Sequence, residues 1–154
     1  MASIIPLSEL EAASSGFTHK VIIKAADMAA LTSATAYSIY PGYNGSSTQS
    51  NMLVKDAAVF VKTAFNAFQS DGTTAVTLVI TVGDGSTANA YIASTSIKTA
   101  GWIKGAQTTN AIPASDIIKF TPTFGASGDP TKTSAGEMHI FLSIVDGDDL
   151  TRTA

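Results

Sequence analysis

A chain of 154 residues without cysteine is long enough to bury one core and short for two, and it excludes disulfides, thiolate metal sites and a cysteine nucleophile. Charged residues make up 14% and hydrophobic residues 45%, against roughly 25% charged in an average soluble domain, so Ser, Thr, Asn, Ala and Gly must form much of a surface that is easily desolvated and suited to permanent assembly. A net charge of −3 with nine scattered basic residues excludes a nucleic-acid groove, which needs clustered Lys and Arg.

Residues 1–16 (MASIIPLSELEAASSG) read as an N-terminal arm. Its opening is apolar, and Ser8 with Glu11 three residues on fits a capping box that one or two helical turns could follow. Ala12 to Gly16 forms a flexible connection. Three bulky apolar residues in so short a segment favour an arm that packs Ile4, Ile5 and Leu7 onto a neighbouring subunit over a frayed terminus. No basic region with a continuous apolar core stands at the amino terminus, and no run approaches the roughly 18 apolar residues of a membrane span, so a cytoplasmic start near Met1 is expected.

Residues 17–147 read as a strand domain. Phe17 to Ala25 is the first strand, although Val21-Ile22-Ile23 does not alternate. Asp27 to Thr35 is alanine-rich and holds a short helical turn capped by Asp27. Tyr37 and Ile39 against Ser38 and Tyr40 give a short strand closed by Pro41-Gly42. Gly42 to Asn51 is a polar loop with a turn signal at Asn44-Gly45. Loops on a rigid scaffold carry contacts, which makes Tyr43 and Asn44 candidate partner-binding residues. Met52 to Phe68 matches helical spacing at Leu53, Ala57, Phe60, Ala64 and Phe68 and also alternates as a strand would; its Val and Phe content favours the strand.

The clearest pattern lies in Thr74 to Ile97. Val76, Leu78, Ile80 and Val82 alternate with Thr77, Val79, Thr81 and Gly83, which predicts a central strand. Gly83-Asp84-Gly85-Ser86 is a tight turn in which Asp84 can accept from nearby amides, and Asn89 to Ile97 is an antiparallel return. Trp102, between Gly101 and Gly105, reads as a packing anchor before a ligand-stacking platform. Asp116 to Phe124 is a strand with Ile118, Phe120 and Pro122 on one side; Pro122 marks an edge strand or a strand end. Gly136 to Asp146 is the closing strand, with Met138, Ile140, Leu142 and Ile144 toward the core and His139, Phe141, Ser143 and Val145 on the other face. Residues 148–154 form a polar tail. About seven or eight short strands without βαβ alternation predict an all-β antiparallel sandwich or jelly roll with an extended N-terminal arm.

Chemistry-bearing residues are sparse. His19 and His139 have no obvious partner in the sequence, and Ser86 lacks a Gly-x-Ser-x-Gly elbow. Asp146-Gly147-Asp148-Asp149 and Gly83-Asp84-Gly85 lack the spaced carboxylates and terminal Glu of a calcium loop. No catalytic residue, cofactor or metal ligand is expected, and the chain reads as a non-enzyme.

The order of elements, carried by Ala57 to Thr63, Val79 to Gly85 leading into Ala88-Asn89, Tyr91-Ile92 with Ser94-Thr95, and Ala135 to Leu142, resembles small virion structural proteins of tailed bacteriophages. The resemblance spans Thr18 to Val145 and rests on strand and turn patterns, so no functional residue carries over. It implies a β-sandwich decoration (cement) protein on the capsid exterior, assembled in the host cytoplasm. The implied partners are the major capsid protein and further copies of the chain in a trimer, with no nucleic acid and no membrane. A tail, neck or head-fibre component is the alternative within that class. A carbohydrate- or host-surface-binding module is the alternative outside it, and would need exposed rings from Tyr40, Tyr43, Tyr91 and Trp102.

Overall fold

A computed structural model describes residues 4–8, 15–40, 52–84, 86–104 and 118–146. Its strands are β1 (Ile4–Pro6), β2 (His19–Lys24), β3 (Tyr37–Tyr40), β4 (Met52–Thr63), β5 (Leu78–Asp84), β6 (Ile92–Ser96), β7 (Gly101–Lys104), β8 (Ile118–Phe124) and β9 (Glu137–Asp146), with a short helix α1 (Ala25–Ala29) after β2. They pair antiparallel in two sheets, ordered β1-β2-β9-β4-β7 and β3-β8-β5-β6. Four strands of each sheet make the sandwich, and β1 of the arm adds a fifth to one of them. The expected all-β sandwich is the fold.

Period-two alternation builds the core. Met138, Ile140, Leu142 and Ile144 of β9, with Val54, Ala57, Val59 and Val61 of β4, are buried against Leu78, Ile80 and Val82 of β5 and Ile118, Phe120 and Phe124 of β8. Burying each large aliphatic chain contributes about 1.5–3 kcal/mol, set against about 1–2 kcal/mol per residue for ordering the backbone. β4 carries register shifts between Val54 and Asp56 and between Val61 and Thr63. These bulges insert a residue each and break the alternation, which is why the segment also fits helical spacing. It leaves the sheet at Thr63 and crosses over: Phe65 N–H donates to the Ile97 carbonyl at 3.0 Å and Asn66 N–H to the Ala135 carbonyl at 3.2 Å.

The expected central strand is β5, an interior strand with β6 as its antiparallel return. Asp84 closes the turn, its Oδ1 accepting from the amides of Ser86 at 2.8 Å and Thr87 at 2.7 Å.

Two details depart from the sequence reading. Asp27 does not stand at the cap position: α1 begins at Ala25, and Asp27 reaches back from inside the first turn to accept from the Lys24 amide at 2.9 Å. β8 is interior, with Pro122 opposite Ile80. The proline is tolerated because its carbonyl faces Ala34, whose amide donates to it at 2.7 Å. The N and C=O of one strand residue point the same way, so the missing donor lies beyond the start of β3, where the pairing has already ended. Part of the arm joins the five-stranded sheet. Ile4 pairs with Val21, Ile5 with Lys20 and Pro6 with His19 on the chain's own β2, and Leu7 N–H donates to the Thr18 carbonyl at 2.8 Å. The edge of β2 presents unpaired backbone groups, and β1 satisfies them within the same chain.

Candidate functional site

Strand register gathers aromatic side chains on the outer face of the five-stranded sheet. Because Met138, Ile140 and Leu142 point inward, His139 and Phe141 point out, and their cross-strand partners share that face. Across one row stand Ile22, His139, Phe60 and Trp102; across the next stand Ile5, Lys20, Phe141, Ala58 and Lys104. The Phe60 and Trp102 rings lie 4.9 Å apart, Trp102 and Phe141 5.6 Å, and Phe17, just before β2, sits 5.6 Å from Phe141. His139 stands edge-on to Phe60, 6.4 Å away.

Trp102 is 64% exposed. The expectation of a packing anchor fails here because β7 places its neighbour Ile103 opposite Val59, on the core side, and turns the indole outward. Gly101, at a φ of 134°, takes a conformation that L side chains rarely adopt and so starts this edge strand in that register. Ring contacts of this kind contribute about 0.5–1.5 kcal/mol per pair, yet most of the indole surface remains in water. Between Trp102 and Phe17 runs a groove of about 340 Å³, with Ser15, Asp56, Ala58 and Lys104 as its other walls. The rings around it are inclined to one another, 36° for Trp102 on Phe60 and on Phe141 and 42° for Phe17 on Phe141, so the surface is ridged rather than flat.

The rim is charged. Glu137 Oε1 lies 2.9 Å from His139 Nε2 and accepts from Lys62 Nζ at 3.1 Å. The hydrogen bond with His139, then that with Lys62, holds the Glu137 carboxyl below its ordinary value. His139 therefore has a partner that sequence reading missed: Glu137 is two residues earlier, and residues i and i+2 of a strand share a face. His19 stands on the opposite, core side beside Thr18, with Nδ1 2.7 Å from the Thr18 hydroxyl, and burial pushes its pKa down.

Of the residues singled out from sequence, Trp102 lies at one edge of this face and Ile5, 43% exposed, at the other. Leu7 follows β1 and is half-buried; Ile4 is in β1 opposite Val21. Tyr43 and Asn44 lie outside the described residues, as does the capping box at Glu11. Tyr91 leaves the list of exposed rings. It is buried, and desolvation with the nearby Asp84 charge pushes its phenol up to about 12. Phe17, Phe60 and Phe141 were not singled out, although Phe60 and Phe141 sit at non-core positions of strands, where a large apolar ring is itself a signal. Among the described residues no cluster of three or more His, Asp or Glu is placed to hold a metal ion.

Comparison of the chain with protein-family models, curated proteins and solved structures finds no match.

Proposed function

We propose that the chain is a non-enzymatic structural protein of a tailed-bacteriophage virion, a capsid decoration (cement) protein that binds and stabilises the major capsid protein lattice on its exterior. The observation that carries the docking half of this reading is the ring surface of Trp102, Phe60, Phe141 and Phe17 on the outside of the five-stranded sheet. A sandwich can be closed without it, and exposed aromatic side chains are the residues that most often anchor protein interfaces. The virion half rests on the resemblance of strand and turn order. Self-association as a trimer belongs to the same proposal, supported by a chain only 14% charged.

Phage heads lacking the protein test it. Purified protein added back should saturate a fixed set of lattice sites and raise the temperature at which heads rupture, and the Trp102→Ala protein should do neither. Copy number in a map of the intact particle separates decoration from a neck, tail or fibre position, which would show a small fixed count.

A glycan-binding module is the second reading, favoured by the exposed indole beside a groove walled by Asp56 and Lys104. The mutual inclination of the rings weighs against it, because a sugar stacks best on a flat platform. Retention on immobilised host polysaccharide, abolished by Trp102→Ala, would favour this reading over docking to protein.

A further inference from the structure

We infer that the groove beside Trp102 takes an extended segment of the docking partner in which an arginine and a carboxylate side chain stand two residues apart, the guanidinium against Asp56 and the rings, the carboxylate on Lys104. This rests on the reading of the aromatic face as a docking surface. Ala58 occupies the place between Phe141 and Lys104 in its row, and so small a side chain leaves room that Trp102 and Phe17 wall in. The two charged side chains that line this room are of opposite sign, Asp56 and Lys104. Among the described residues neither belongs to an ion pair, with each other or with a third group. Asp56 accepts through Oδ1 from the Ala57 amide at 2.8 Å, which leaves its other oxygen for a ligand.

In such a groove a lone cation is opposed by Lys104 and a lone anion by Asp56, so the complementary ligand carries both charges. Their spacing follows from register. Ala58 stands opposite Lys104, and Asp56 is the next residue of β4 on that face, which makes Asp56 and Lys104 diagonal neighbours on adjacent strands, about 7–8 Å apart. Side chains two residues apart on an extended chain share a face and stand about 6.5 Å apart. The lengths match, given the reach of a lysine stem. The rings decide which cation it is. A guanidinium stacks on the face of an indole or phenyl ring while its planar fork meets a carboxylate, which a compact ammonium does less well. Trp102, Phe17 and Asp56 offer both surfaces in one groove.

The chain contains one tryptophan, so Trp102 emission reports on the groove directly. The first probe is a short alanine peptide, capped at both ends, with an arginine and a glutamate two residues apart. It should change Trp102 emission in a saturable way and bind at least about tenfold more tightly than the same peptide with citrulline for arginine or glutamine for glutamate, which keep the shape and remove one charge. Asp56→Asn should abolish the preference for arginine over citrulline and leave that for glutamate over glutamine; Lys104→Gln should do the reverse. Asn keeps an oxygen for the Ala57 amide, so the local turn of backbone is retained. Equal binding of the charged and neutral peptides, or no response to any, overturns the inference. So does an emission change that grows with protein concentration alone, which would make a second copy the occupant.

The second probe is the phage head lacking the protein. Asp56→Asn and Lys104→Gln should each bind heads at least about tenfold more weakly than wild type, and Lys104→Arg should bind as wild type does. If Trp102→Ala abolishes binding to heads while Asp56→Asn and Lys104→Gln bind normally, docking stands and the arginine-carboxylate segment falls. If Trp102→Ala leaves binding to heads unaltered, the docking reading itself falls.

Discussion

On the outer face of the four-stranded sheet, Val79 and Thr81 stand opposite Thr123 and Thr121, and Ser38 stands opposite Lys119. On the outer face of the five-stranded sheet, the corresponding places hold Phe60 opposite both Trp102 and His139, with Phe141 beside them. The inner faces are alike: both are rows of apolar side chains, mostly Ile, Val and Leu, because each must bury apolar surface against the other. Threonine and serine on both outer faces would close the same sandwich. The difference between the faces is therefore not required by folding, and it is the feature on which the proposed docking role rests.

That comparison breaks if outer rings prove as important to stability as inner aliphatics. Ile140 is buried, pairing with Val21 on one side and Val59 on the other. Ile140→Ala should cost about 2–5 kcal/mol, read as a lower urea midpoint with an unchanged slope. Phe141→Ala, one residue along on the outer face, should cost clearly less. Equal costs would make the aromatic face part of the core.

A smaller loss is expected at the end of β5. A side chain at Gly83 would meet the backbone of Thr87 and Ala88, which fold back over it. Backbone cannot swing aside as a flexible side chain can, so Gly83→Ala should destabilise by about 1–3 kcal/mol, measured in the same titration. An unchanged midpoint would mean that the turn opens freely. Trp102→Ala should cost only about 0.5–1.5 kcal/mol, the scale of its ring contacts, while attachment to heads is lost. A large stability loss at Trp102 would leave the binding result uninterpretable as docking and return the indole to the role of a packing anchor.

The sequence made one of these faces legible and hid the other. Alternation over Leu78 to Val82 and Met138 to Ile144 announces buried faces because a core imposes one chemistry on every second residue. The aromatic cluster imposes nothing comparable. Phe17, Phe60, Trp102 and Phe141 come from widely separated segments, and only cross-strand register shows that they meet. Trp102 was misread because four residues of β7 are too few to reveal which face each occupies. Pro122 misleads as a mark of an edge or an end because a strand can be interior over part of its length only: β8 has lost its partner β3 by that residue. Met52 to Phe68 was legible as a strand despite two bulges, although not its end at Thr63.

The smallest expected effect concerns acid, and it separates the rim of the aromatic face from the turn at Asp71. Hydrogen bonds from His139 and Lys62 lower the Glu137 pKa. In the turn after β4, Asp71 accepts from the Thr74 hydroxyl and from the amides of Thr73 and Thr74, which bring it down from 3.8 to about 2. A carboxyl group with a lowered folded pKa stabilises the fold fully above its unfolded value and loses that contribution as pH falls through the folded one. Both groups therefore contribute at neutral pH and cease to in acid. For Asp71 the loss runs from 3.8 down to about 2, and for Glu137 it begins near 4.5, the ordinary value for that group. Urea midpoints measured from about pH 6 downward should fall for wild type. Glu137→Gln should flatten the fall just below 4.5, and Asp71→Asn should flatten only the part below 3.8. If Glu137→Gln retains the wild-type slope, the contacts of Glu137 with Lys62 and His139 add nothing to the fold.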